Sequence, residues 1–480
     1  MTKKHYHLIG IGGTAMGSVA GLLRAAGHQV TGSDENVYPP MSDQLRDQGI
    51  SFTEGYSPLN VGVGASGTPR PDIVIVGNAI SRGNPELEAV LDEQMIYTSA
   101  AAVIKDEFLR DRHAIAIAGT HGKTSTTSLT AWVLESAGLN PSFLIGGVAE
   151  NFGVSFRLTD SRFFVIEADE YDTAYFDKGP KMWHYLPQTA VVNNIEFDHA
   201  DIYRDEEAYR FAFARFINLV PRRGALIAGW DSPIVRELAP KAFSRVESFG
   251  FADGASSDES PFWRAEDVVF GETVTRFRVM KGDEEWGQVE TPLAGAFSVR
   301  NCLAAIAAAE AVGADRQGVL EGLRTYRSVR RRMEVRGEVG GVIVIDDFAH
   351  HPTAVRETIN AVRQRFSTRR LVAVFEPRSY TAQRQEFQES YRTAFEGSDQ
   401  VVLAGLFHPE RYTSQTGLDP NKLVADISSS GIEAHFIPDV DTIVDHLMKG
   451  LQGGEVILVM SNGGFGGIHQ KLLDALERRG

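Results

Sequence analysis

Short apolar runs recur along the chain, each followed by a stretch with helical spacing, the pattern of parallel strands crossed by helices. HYHLIGIG (5–12) predicts a strand, then a glycine-rich turn and a helix from about Thr14 to Ala26. QVTGSD predicts a second strand ending at Asp34, and DIVIVGNAI (72–80) a buried one. Residues from about Ile96 to Arg112 read as a linker helix. A second segment opens on AIAIAG (114–119) and a long helix, with further strands at FFVIEAD (163–169), TAVVNNI (189–195) and GALIAG (224–229). An irregular stretch, DGASSDES, follows from about residue 253. FRVMKGDEEWGQVE reads as a hairpin turning near Gly282–Asp283, and Asn301–Val312 as an alanine-rich helix. A third segment starts near the arginine cluster 330–332 and holds GVIVIDD, RRLVAVFEP, DQVVLAG, AHFIP and EVILVMSN, enough for a second Rossmann-like sheet.

The 480 residues exceed what one hydrophobic core supports, so roughly three domains are expected. With 43% apolar and 23% charged residues the chain has the composition of a soluble globular protein. A formal charge of −15 without a Lys/Arg block argues against non-specific nucleic-acid binding. Anionic ligands must then be held by local positive sites. The single Cys302 excludes a disulfide within the chain and suits a small buried position. The N-terminus lacks a signal-peptide pattern and no run approaches a membrane span, so a reducing cytoplasm is expected.

The strongest chemical signal is Gly119-Thr120-His121-Gly122-Lys123-Thr124-Ser125, between a strand and a helix. Glycines let backbone N–H groups approach phosphate oxygens, the lysine reaches the β/γ-phosphates, and Thr124 suits Mg²⁺. Ile117 stands where the general phosphate-loop pattern has its first glycine. Acidic groups Glu167, Asp169, Glu170 and Asp172 follow one buried strand; Glu196, Asp198, His199 and Asp201 follow the next. Carboxylates and an imidazole at strand ends suit a hydrated Mg²⁺, although Asp172, Glu196 and Asp201 equally suit caps or solvated loops. Gly10, Gly12, Gly13, Thr14, Ala15 and Met16, with Asp34 beyond, mimic a dinucleotide fingerprint. A pyrophosphate at the helix N-terminus is the more general inference.

Taken in order, G-I-G-G-T-A-M-G, G-T-H-G-K-T, E-A-D-E, N-I-E-x-D-H, R-R and D-D-x-A-H-H-P-T resemble the Mur ligases over nearly the whole chain, weakening over about 230–290. Four stretches favour the muramate-using members with a peptide acceptor: Gly32–Met41, Gly77–Pro85, Glu376–Ser379 and Met460–Lys471. The resemblance implies three α/β domains: a Rossmann-like UDP-sugar domain (1–107), a central P-loop-type ATPase domain (108–328) and a Rossmann-like C-terminal domain (329–480). It implies ATP and Mg²⁺, with UDP-N-acetylmuramate and L-alanyl-γ-D-glutamyl-meso-diaminopimelate as substrates. Carried residue by residue, it assigns catalysis to Lys123, Glu167 and His199, and metal to Thr124, Glu167 and His199. ATP contacts are residues 119–125 with Asn301, Arg332 and Asp347. UDP-sugar contacts are Gly10, Gly12, Gly13, Thr14, Met16, Asp34 and Asn78, and the substrate side takes His350, His351 and Arg378.

Two departures matter. Phe297 and Ser298 replace the family's His-Asn, so only Asn301 carries over as an adenine-site candidate. Ala214 lies near the position of a lysine that several Mur ligases carbamylate, so no carbamate is expected. Competing readings are L-alanine alone as acceptor, a nicotinamide dehydrogenase suggested by Gly10–Gly17, and a non-catalytic nucleotide-binding regulator. The dehydrogenase leaves Lys123 and Glu167 unexplained.

Overall fold

The computed structural model describes residues 2–38, 41–64, 67–198, 202–251, 260–407, 410, 412–413 and 416–479. His199, Asp201 and most of the irregular stretch after residue 251 lie outside these.

Three sheets follow one another along the chain. The first is wholly parallel, with strands β1 (His5–Ile9), β2 (Gln29–Asp34), β3 (Ser51–Glu54), β4 (Ile73–Val76) and β5 (Tyr97–Ser99) in the order β3-β2-β1-β4-β5. The strand order reverses between β1 and β4, and such a switch point opens a crevice at the strands' carboxyl ends. Gly10–Gly13 and Gly77–Asn78 both lie there. The expected linker helix is interrupted: Tyr97–Ser99 pairs with β4 as an edge strand, and only Ala100–Leu109 is helical, its second half as a π turn.

The second sheet has ten strands. They are β6 (His113–Ala118), β7 (Ser142–Ala149), β8 (Val154–Arg157), β9 (Phe163–Glu167), β12 (Thr189–Val192), β13 (Ala225–Gly229), β14 (Arg245–Phe251), β15 (Trp263–Phe270), β16 (Thr275–Lys281) and β17 (Glu284–Thr291). A separate hairpin joins β10 (Asp172–Ala174) to β11 (Asp177–Pro180). The order β17-β16-β15-β14-β13-β12-β6-β9-β7-β8 puts β12, β6 and β9 side by side. Their parallel register brings the three motif-bearing loops to one end of the sheet. The expected hairpin is β16–β17, with Gly282 at φ 58° in its turn. Helix Ala296–Ala311 begins five residues earlier than its sequence suggests. It is buried on all sides from Cys302 to Ala309, where small side chains let it pack closely between a helix and the sheet.

The third sheet contains β18 (Glu334–Val339), β19 (Val342–Asp347), β20 (Leu371–Phe375), β21 (Gln400–Leu403), β22 (Glu433–Phe436) and β23 (Val456–Met460), ordered β18-β19-β23-β20-β21-β22. Only β18 runs antiparallel. Central strands such as LVAVF and VILVM are fully buried, as helices on both faces require.

The first two sheets are fastened by a close approach. Gly21, on helix Thr14–Ala25, lies against Phe156 of β8, and a Cβ there would collide with the ring. Beside it Ser18 Oγ meets Ser155 Oγ at 3.0 Å. Asn78 donates to Asp172 Oδ1 at 3.0 Å across the same junction.

Candidate active site between the second and third sheets

β6 ends at Ala118, and the chain turns through Gly119 (φ 134°) and Gly122 (φ 81°) into helix Lys123–Ser136. Among the described residues no side chain caps this helix, which leaves its first N–H groups free to receive an anion. Lys123 Nζ is tied to the carbonyls of Gly119 (2.7 Å) and Thr120 (3.3 Å) and to Glu170 (2.8 Å). Burial opposes its charge, yet Glu170 and Asp169 more than offset this and hold its pKa above the usual lysine range. Thr124 Oγ1 donates to Glu167 Oε1 (2.9 Å), and Gly146 N–H donates to Glu167 Oε2 (2.8 Å). Burial raises the Glu167 pKa; Lys123 offsets it only in part. Glu167 is thus a carboxylate short of positive charge beside a hydroxyl.

The loop after β12 braces the turn. His121 N–H donates to Asn194 Oδ1 (2.8 Å), and Asn193 Nδ2 to Thr126 Oγ1 (3.0 Å). His121 Nε2 hydrogen-bonds Glu196 Oε2 (2.8 Å). His351, from the third segment, completes a His121–Glu196–His351 cluster whose candidate ligand atoms lie within 4.8 Å of one another. Burial, followed by the neighbouring His121, lowers the His351 pKa to about 4, and its Nδ1 caps helix Pro352–Arg365 at Thr353 N–H (3.3 Å). Glu196 is held down to about 2: burial opposes this, but His121 and His351 outweigh it.

A cavity of about 850 Å³ opens between the two sheets, within the range of small-molecule sites. Gly122, Thr124, Ser125 and Asn301 line one side; Arg332, Asp347, Thr353 and Thr358 line the other. Asn301 Oδ1 accepts from Thr126 Oγ1 (3.0 Å). Asp347 accepts N–H bonds from Ala349 and Met333, both 2.8 Å, and burial raises its pKa. The Arg332 guanidinium lies 4.7 Å from the Phe348 ring centroid and reaches Thr124 Oγ1 at 3.5 Å. Phe297 and Ser298, which replace the expected His-Asn, line the cavity with Phe249, Pro292 and Leu293. That apolar wall was not foreseen, because Phe249 is remote along the chain from Pro292–Ser298 and neither stretch carries a motif.

The other expected residues fall in two places. At the first sheet's crevice Gly12 N–H donates to Asp34 Oδ2 (2.8 Å), and Tyr56 O–H reaches Asp34 Oδ1 (3.3 Å). Asp34 thereby shapes the glycine turn. Gly13 and Thr14 are exposed, whereas the Met16 side chain packs into the core. In the third segment His350 Nδ1 lies 3.1 Å from Phe348 O, and Tyr391 O–H donates to His350 O. Arg378 stacks on Phe407, 3.7 Å from its ring centroid, and passes over Gly463, where a Cβ would collide with it. Cys302 is buried, and burial pushes its thiol pKa up to about 12.

The chain is 43% identical over 478 residues, 98% of each protein, to the UDP-N-acetylmuramate–L-alanyl-γ-D-glutamyl-meso-2,6-diaminoheptandioate ligase of Escherichia coli (strain K12). Residues 5–111 match the Mur ligase family catalytic domain, 117–309 the Mur ligase middle domain, and 331–463 the Mur ligase glutamate ligase domain. The chain belongs to the Mur ligase family. Among solved Mur ligases it is similar to a murein peptide ligase from Psychrobacter arcticus 273-4, at 35% identity over 98% of both chains and a TM-score of 0.71. A UDP-N-acetylmuramate–alanine ligase from Thermotoga maritima, 22% identical and covering 99% and 100% of the two chains, shares the Mur ligase fold at a TM-score of 0.78. The UDP-N-acetylmuramate–L-alanine ligase of Salinibacter ruber (strain DSM 13855 / M31) is 32% identical over 99% of this chain and 96% of its own.

Proposed function

We propose that this Mur ligase joins UDP-N-acetylmuramate to L-alanyl-γ-D-glutamyl-meso-diaminopimelate, converting ATP to ADP and phosphate, as a step of peptidoglycan recycling. The observation that carries the reading is identity along the full length: 43% to the E. coli ligase named for the tripeptide, against 32% to the S. ruber ligase named for L-alanine. Supplies of ATP and a nucleotide sugar place the work in the cytoplasm.

In this reading the muramyl carboxylate attacks the γ-phosphate, ADP leaves, and an acyl phosphate forms. The acceptor amine then adds to the activated carbonyl, phosphate departs, and the amide remains. Both partners of the first step are anions, so positioning and charge neutralisation dominate. Residues 119–125 cradle the phosphates, with Lys123 on the β/γ side, where it already balances a buried acid. Arg332 and Asp347 close the nucleotide in from the opposite wall, which limits water access to the acyl phosphate. Asn301 and Phe297 border the base. Thr124 and Glu167 offer an all-oxygen donor pair that fits Mg²⁺, which when bound supplies charge neutralisation at the phosphates. His199 is assigned to the same cation from its motif. UDP-N-acetylmuramate lies against Gly10, Gly12, Gly13, Thr14 and the backbone of Met16, where Asp34 sets the turn, and against Asn78. The acceptor faces His350, His351 and Arg378, whose guanidinium fork suits a carboxylate. Domain limits of 1–107, 108–328 and 329–480 accommodate the three sheets.

Purified protein given ATP, Mg²⁺ and UDP-N-acetylmuramate is expected to release ADP and form the coupled product with the tripeptide. ADP release with L-alanine but not with the tripeptide overturns the acceptor assignment.

A further inference from the structure

We propose that Thr353 and Thr381 are positioning residues, which relay the docking of the C-terminal domain to the phosphate-binding turn through Glu196 and Asp198. The inference rests on the ligase reading and adds to it a coupling between two domains.

Two short hydrogen bonds cross the cleft side by side. Thr353 Oγ1, in the first turn of helix Pro352–Arg365, donates to Glu196 Oε1 at 2.7 Å. Thr381 Oγ1, in the turn beyond β20, donates to Asp198 Oδ1 at 2.7 Å. The donors come from separate elements of one domain; both acceptors lie on the single loop that follows β12. Hydroxyl-to-carboxylate bonds of this length are charge-assisted, and Thr381 and Asp198 are each 3% exposed, so little water replaces the second bond while the domains are docked; the first is half-buried.

The same loop grips the turn that should hold the phosphates. Glu196 binds Thr353 through one oxygen and His121 Nε2 through the other, at 2.8 Å. The adjacent Asn194 accepts the His121 N–H, and Glu196 N–H donates to Thr120 Oγ1 at 3.0 Å. An unbroken path therefore runs from helix Pro352–Arg365 to two residues of the cradle. The crossing between domains is short: Arg330 N–H still bonds Val148 O of the middle sheet, while Met333 N–H already bonds Asp347. Arg331 and Met333 both adopt left-handed φ, at 61° and 50°, a conformation that costs non-glycine residues energy. Docking contacts must offset that strain, and the two threonine bonds are placed to do so. The turn at Gly10–Gly13 lies in another domain, so the relay should leave UDP-sugar binding alone.

The test uses the full-length enzyme with ATP, Mg²⁺, UDP-N-acetylmuramate and the tripeptide. Thr353→Val and Thr381→Val are each expected to lower kcat at least tenfold while the KM for UDP-N-acetylmuramate stays within twofold. Thr353→Ser and Thr381→Ser, which keep the hydroxyl, should retain at least a third of the wild-type kcat. Glu196→Leu, which removes the acceptor and leaves the C-terminal domain untouched, should reproduce the kcat loss and serves if a valine variant fails to fold. Valine variants and Glu196→Leu within twofold of wild-type kcat overturn the relay, as do serine variants as impaired as the valine ones. Wild-type protein without ligation activity would instead refute the functional reading.

Discussion

Lys123 does two things that substitution can separate. It belongs to the turn proposed to hold the phosphates and it neutralises Glu170, which is fully buried. Lys123→Ala should therefore abolish ligation and also lower the melting temperature, since an unpaired buried charge costs roughly 3–5 kcal/mol. Adding Glu170→Gln should restore most of the stability and none of the turnover, checked by calorimetry beside a product assay. His351 gives a pH signature. Its pKa drops from 6.5 when unfolded to about 4 when folded, so between those values the unfolded chain binds more protons. Its contribution is complete above pH 6.5 and fades as pH falls towards 4, by an amount on the order of 3 kcal/mol. Wild-type stability should fall more steeply than that of His351→Gln across this window in denaturant titrations. Glu196, depressed from 4.5 to about 2, acts only in the lower window between those values.

At the scale of elements, function depends on loops brought together by strand order. β12, β6 and β9 are neighbours, so the lysine turn, the Glu167 strand end and the Asn193–Asp198 loop meet, although some 75 residues separate the first from the last. Gly122 shows how little slack the meeting leaves. At φ 81°, a Cβ there would sit 2.9 Å from Asn301 Oδ1 and 3.1 Å from Asn193 Nδ2. Gly122→Ala should raise the KM for ATP at least tenfold while UDP-sugar binding, measured by calorimetric titration, is retained. The central strands of the first and third sheets were readable because burial on both faces favours apolar runs. Ser142–Ala149 and the edge strands Val154–Arg157 and Glu334–Val339 were not foreseen: partly exposed and interrupted by glycine or charge, they owe their conformation to the neighbours they pair with.

For the molecule as a whole, the cavity walls belong to two domains, so a ligand filling it should bind the docked form. A non-hydrolysable ATP analogue with Mg²⁺ at about one hundred times its Kd should stabilise the protein by roughly 2.7 kcal/mol, read as a thermal shift. The shift should shrink in Arg332→Ala, which loses a group on the far wall.

The sequence alone determined the glycine-rich turn that carries Lys123, the acids at the strand ends and the three α/β segments. These are local matters: backbone freedom at glycine, apolar runs, and a lysine at the first position of a helix. It did not reveal that Glu196 would join His121 to Thr353, or that Phe249, Pro292 and Leu293 would wall the cavity beside Phe297. Glu196, His121 and Thr353 are distant from one another along the chain, as Phe249 is from Pro292–Phe297, and no common spacing marks them. Only strand order and the docking of two domains bring them within hydrogen-bonding or van der Waals reach, so the tertiary structure decided them.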